Sequence, residues 1–150
     1  MIATSVAYDL TFLVHVIAAV TALTVLITMR MSAQQIVSGA DSATQQRRFP
    51  LRRNWAARLL HVLPITGLVM SLTGDNSVSL TRPWIGVGIL CYLAAAGHLE
   101  ARTLPLERVL SEVIHHDGVA SPERGRQLGR SLDTLLALVA LALVAMIAQF

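Results

Sequence analysis

Four apolar runs, each about as long as a bilayer core is thick, decide what this chain can become. They cover residues 8–30, 54–74, 82–103 and 129–149 of 150. A membrane-crossing helix needs roughly 20 mostly apolar residues, because each residue rises about 1.5 Å and the hydrocarbon layer is about 30 Å thick. Most of the charges fall between the runs, and only 14% of residues are charged, where about a quarter is usual in a soluble domain. The expected fold class is therefore all-α: a polytopic membrane protein, built as a single four-helix transmembrane bundle. The length leaves no room for a second domain.

The boundaries carry recognisable signals. Span one has Tyr8 at one interface and Arg30 at the other, with His15, Ala18, Ala19 and Ala22 on one face. Loop one, from about Met31 to Arg53, is polar; Asp41 or Ser42 can cap a short helix that Pro50 terminates. Span two starts near Asn54 with Trp55 at the interface, and Pro64 is expected to kink it and free a carbonyl near Leu60. Asp75-Asn76-Ser77 reads as a turn. Span three opens on Arg82-Pro83-Trp84 and presents a small-residue side that includes Gly88, Cys91, Ala95, His98 and Arg102.

Pro105 is expected to end the third helix. Leu106, Val109, Leu110, Val113 and Ile114 then recur at helical spacing, which predicts a short amphipathic helix on the cytoplasmic membrane surface, between spans three and four. Ser121-Pro122 starts the last helix, whose membrane part begins near Ser131, with Asp133 just inside.

Every basic residue is arginine, and all but Arg82 fall in loops one and three or at their edges. The positive-inside rule then places both loops in the cytoplasm and both termini outside, in a multi-pass protein of the cell inner membrane. No basic residue precedes the first apolar run, so the first helix is expected to remain in the mature protein. The formal net charge of +3 does not suggest nucleic acid; the expected partner is the lipid bilayer. Cys91 is the only cysteine, so an internal disulfide is excluded.

Histidines inside the spans are the candidate site. Ionisable groups in a membrane are costly and usually face the bundle interior. His61 and His98 lie at similar depth, about 10 Å and about 7 Å from the cytoplasmic ends of their helices. They are candidate metal ligands, the axial pair of a b-type haem, with Arg58 or Arg102 near its propionates. His15 lies nearer the opposite face. A purely structural alternative pairs Arg58 with Asp133 and hydrogen-bonds each histidine to a hydroxyl or a freed carbonyl. Quinone or proton chemistry is a further option. His115-His116-Asp117 offers metal-binding types, but adjacent helical side chains point about 100° apart. The sequence contains no nucleophile elbow, phosphate loop, CxxC or HExxH.

The stretches LTFLVHVIAAV, LPITGLVMSLTG, PWIGVGIL and CYLAAAGH resemble small four-helix bacterial membrane proteins related to the CopD-like and HemJ-like families. The resemblance covers spans one to three. It implies haem association, with His15 as the histidine tied to haem or porphyrin and His98 where a third-helix histidine lies. Span one lacks the basic residue found there in those families, so binding rather than porphyrinogen oxidation is implied. Depth favours His61 with His98; the resemblance favours His15. Two function classes follow: a haem-binding or electron-transfer bundle, or a non-catalytic subunit or assembly factor that packs against other membrane subunits or its own copies. A small transporter is a third, for which the chain is short and shows no inverted repeat.

Overall fold

Helix α1 (Ile2–Val37) outruns the membrane segment it contains: its 36 residues rise about 54 Å, well beyond a hydrocarbon core. The computed structural model describes residues 2–73 and 82–148, with side chains from 6 onward, and every regular element among them is helical. After α1 come α2 (Ser42–Arg48), a 3-10 segment (Ala57–His61) that leads into α3 (Val62–Thr73), and α4 (Pro83–His98). A π-helical turn (Leu99–Thr103) then leads into α5 (Leu104–Asp117), and α6 (Pro122–Ala148) closes the chain. The expected Asp75-Asn76-Ser77 turn lies outside the described residues.

Three helical stretches are long and apolar enough to cross a membrane: Val6–Val37, Pro83–Asp117 and Pro122–Ala148. The apolar segment Ala57–Thr73 is shorter. It begins three residues later than the sequence suggests, because Asn54 stays outside as a cap: its Oδ1 accepts from the Ala57 amide at 3.1 Å. Pro64 falls in the first turn of α3, directly after the 3-10 winding. The expected kink is thus a change of winding at Val62, placed where the missing proline N–H disturbs least.

The first turns of α4 and α6 start where the sequence signals put them, at Pro83 and Pro122. The short loop helix is also present: Asp41 accepts from the Thr44 amide at 3.1 Å, and α2 ends before Pro50. Hydrogen bonds from Thr44 hold the Asp41 carboxyl below the usual carboxylate range.

Two expectations are corrected. Loop one does not begin at Met31; α1 continues through Val37, because Ala33 and Ile36 extend the buried stripe of Ala22, Leu26 and Met29. Pro105 does not end the third helix. The π turn widens the winding, with the Leu104 amide on the Leu99 carbonyl, so the proline enters at the start of α5 without an α-helical partner to lose. Part of the apolar face of α5 packs on protein, while Val109 of the same face is exposed. Leu110 and Ile114 are fully buried in one cluster with Ile36, Phe49, Ala120, Leu128 and Leu132.

The core therefore sits at one end of the bundle. There the last turns of α1, the first turns of α6, α5 and the α2 loop form a cap. Ser42 Oγ donates to the Gly118 carbonyl at 2.6 Å. Gln45, itself buried, donates to Ala40 O at 2.8 Å and accepts from the Ala120 amide at 2.9 Å. Gly118 makes the reversal between α5 and α6 at φ +85°, a conformation that costs glycine little. At the opposite end, Leu10, Leu13, Ile17, Leu141, Val144 and Ile147 are exposed, a surface that suits lipid and would be out of place in water.

Candidate functional site

The three histidines of the apolar segments occupy three different settings. His15 faces α3 from α1, and its Nδ1 lies 2.7 Å from Thr66 Oγ1. The Thr66 hydroxyl has one proton, and it lies within 2.9 Å of the Val62 carbonyl and 3.0 Å of the Leu63 carbonyl. Both carbonyls can only accept, so the hydroxyl donates to the helix backbone and accepts from His15. This assignment puts the imidazole proton on Nδ1 and leaves the lone pair on Nε2. A second partner that fixes the tautomer in this way is how metal-ligating histidines are commonly held.

His98 is set the other way round. Its Nε2 lies 3.0 Å from both the carbonyl and the hydroxyl of Ser131 on α6. The carbonyl can only accept, so Nε2 carries the proton and donates. Thr103 Oγ1 completes the group at 2.9 Å from Ser131 Oγ. This cluster ties α4 and the π turn to α6, and Thr103 is fully buried. His98→Leu should therefore cost about 1–3 kcal/mol by removing the imidazole N–H from the Ser131 carbonyl and hydroxyl. Unfolding in mild detergent reads the loss, and an unchanged midpoint would show the cluster to be dispensable.

His61 ends the 3-10 segment. Its Nδ1 is 3.2 Å from the Arg58 carbonyl and its ring meets Tyr92 edge-on at 6.5 Å. Its Nε2 is 3.8 Å from Glu100 Oε1. The two candidate axial ligands thus serve separate neighbours: His61 turns to Tyr92 and Glu100, His98 to Ser131. With Nε2 of His98 donating to Ser131, only its Nδ1 carries a lone pair for a ligand.

The charged residues pair differently from the structural expectation. Arg58 is bidentate on Glu100, with Nε–Oε1 at 2.8 Å and Nη2–Oε2 at 3.0 Å. Asp133 is held instead by Arg30, at 2.5 Å between Nε and Oδ1. The expected Arg58–Asp133 pair is replaced by these two, because α1, rather than the 3-10 segment, is the helix that packs along the first turns of α6. Arg102 is exposed and has no carboxylate partner among the described residues. At the helix end, His116 Nδ1 pairs with Asp117 at 2.6 Å, whereas His115 Nδ1 bonds back to the Ser111 carbonyl. Neighbouring imidazoles thus serve different partners, and His116 has its pKa raised by Asp117.

A cavity of about 370 Å³ lies among α1, α3, α4 and α6. Ligand pockets commonly measure about 300–1,000 Å³. Its walls are mostly aliphatic and aromatic, with Trp84 and Tyr92 on one side and Leu138 and Met146 on another. Among the described residues, His15 is the one histidine that lines it; His61 and His98 do not. Cys91, Met70 and Met146 are the soft donors at its walls. No group of three or more His, Cys, Asp or Glu side chains is placed to hold a metal ion among the described residues.

Sequence reading passed over a further pair, Gly125 and Gly129, one turn apart on α6. A methyl group at Gly125 would stand 3.0 Å from the Ala33 carbonyl oxygen and 3.1 Å from Ile36 Cβ. Arg30 crosses over Gly129 to reach Asp133. The small-xxx-small spacing was the available signal.

Compared with protein-family models, curated proteins and solved structures, the chain matches none of them.

Proposed function

We propose that the protein is a four-span inner-membrane bundle, with both termini outside the cytoplasm, that holds a flat apolar ligand in the His15 cavity, with haem b as the candidate. One observation carries this reading: the His15–Thr66 arrangement leaves an Nε2 lone pair on the imidazole that lines an otherwise largely apolar cavity. Four spans are supported by the length of the shorter segment. Five 3-10 residues and twelve α-helical residues rise roughly 28 Å together, close to the hydrocarbon thickness. The orientation is supported by the gathering of all arginines but Arg82 at the cap end.

The residues present fit an apolar macrocycle with one imidazole ligand. His15 would supply that ligand, Trp84 and Tyr92 would lie against the ring, and the exposed Arg82, just before Trp84, would meet carboxylates at the outer mouth. Bound there, a haem would supply one-electron chemistry. His15 would fix its position, and the aliphatic walls would keep water from it.

The test is a visible spectrum of the protein purified in mild detergent after expression with ample haem. A b-type band is expected that His15→Ala removes and that His61→Ala and His98→Leu retain. A band lost in His61→Ala and His98→Leu, with His15→Ala unaffected, would move the ligands to that pair. A colourless protein would overturn the cofactor reading and favour a packing subunit of a larger membrane complex.

A further inference from the structure

A second hollow lies at the cap end. It is a cleft of about 600 Å³ between the Pro50–Asn54 loop and the start of α5. Four arginines and three glutamates line it, and most are matched. Arg58 is bidentate on Glu100, and Arg108 holds Glu112 at 3.0 Å. Glu107, in α5 beyond the span, accepts from the Asn54 amide at 2.9 Å. Burial raises its pKa against that hydrogen bond, so its charge is held at a cost. Arg52 and Arg53 make no salt bridge among the described residues, the charge of Arg53 reaching Glu100 only through space, and both are exposed.

Apolar side chains flank them. Arg53 sits 4.9 Å over the Trp55 ring, and Arg58 lies 5.4 Å from it. Trp55 is 65% exposed and Leu51 64%. An exposed indole and an exposed leucine beside two unpaired guanidinium groups do not suit water. They suit the headgroup zone, where tryptophan sits at the level of the glycerol backbone and arginine among the phosphates. The guanidinium fork also matches two phosphate oxygens at once.

We propose that this cleft binds the phosphodiester headgroup of an anionic membrane phospholipid, with Arg52 and Arg53 on the phosphate and Leu51 and Trp55 against the first methylenes of its chains. The inference rests on the membrane reading and not on the His15 cavity. A zwitterionic lipid brings the same phosphate with a compensating ammonium, so two unmatched arginines favour the lipid with net negative charge.

Trp55 lies beside the cleft, against Arg53 and Arg58 of its lining, and so reports on it. The chain has two tryptophans, so Trp84→Phe leaves Trp55 alone. The full-length protein is placed in vesicles that contain brominated phosphatidylglycerol or brominated phosphatidylcholine at equal mole fraction, and bromine quenches the indole that it touches. Phosphatidylglycerol is expected to occupy the site about tenfold more strongly. Arg52→Gln with Arg53→Gln should bring the preference close to one. Arg47→Gln with Arg48→Gln, the same charge change on α2 outside the cleft, should leave it in place. Far-ultraviolet circular dichroism checks that each variant keeps its helices. Equal quenching by the two lipids overturns the proposal. An equal effect of both double variants also overturns it and assigns the preference to general surface charge. Relief of quenching by millimolar inorganic phosphate at constant ionic strength would make this a site for free phosphate instead.

Discussion

Gly125→Val should destabilise the fold by about 3 kcal/mol or more, the upper part of the range for overpacked helix contacts. The reason is the nature of the neighbour. A Cβ at this position meets the Ala33 carbonyl oxygen at 3.0 Å and the Ile36 side chain at 3.1 Å. A carbonyl inside α1 cannot swing aside, so α1 and α6 have to separate. Their separation pulls Arg30 from Asp133 and loosens the cap. Gly125→Ala should show a smaller loss of the same sign. Gly129→Ala is the control. The nearest atoms to its methyl would be those of the Arg30 guanidinium, at 3.6 Å, which is ordinary van der Waals contact. Replacing glycine by alanine inside a helix gains up to about 1 kcal/mol, so this variant should be neutral or more stable. Thermal unfolding in detergent orders the three. A Gly129→Ala loss equal to that of Gly125→Ala would refute the close crossing.

Leu132→Ala is expected to cost about 2–5 kcal/mol, as for other fully buried leucines. Leu132 is 0% exposed and packs in the cluster that joins α1, the 3-10 segment, the π turn and α6. At the edge of a membrane the hydrophobic term is weak, and the loss is mainly one of dispersion contacts around the space left behind. Leu141→Ala, two turns and more along the same helix, gives the comparison. That side chain is 53% exposed and should change stability by less than about 0.5 kcal/mol. Similar effects at the two positions would mean that the cluster is not the core.

The helix starts were legible because their signals are local. Asp41, Pro83 and Ser121-Pro122 each act on a backbone a few residues away, whatever the rest of the chain does. The helix ends were not. Gln34 and Gln35 look like loop, yet α1 passes through them, since only the partner helix decides that Ala33 and Ile36 have something to pack on. Pro105 looks like a stop, yet a single π turn absorbs it, and nothing in LEART announces that turn. The histidines show the same division. Their presence in the spans could be read, whereas their tautomers depend on Thr66 and Ser131, which lie 51 and 33 residues away. The partners of Arg30, Arg58 and Asp133 were hidden for the same reason. Charge sign limits the options, and the order of helices around the bundle chooses among them.

The cap joins residues far apart in sequence, and this sets a clock on its assembly. Arg30 and Asp133 are 103 residues apart, and the Ala33 face waits for Gly125 to cover it. At about 5–20 residues per second of synthesis, roughly 5–20 s pass between the emergence of one side and that of the other. Through that interval α1 lacks the α6 turns that cover Ala33, although Phe49, Leu110 and Ile114 of the same cluster emerge earlier. The Arg30–Asp133 pair and the crossing of Gly125 over Ala33 are therefore among the last contacts of the cap to form.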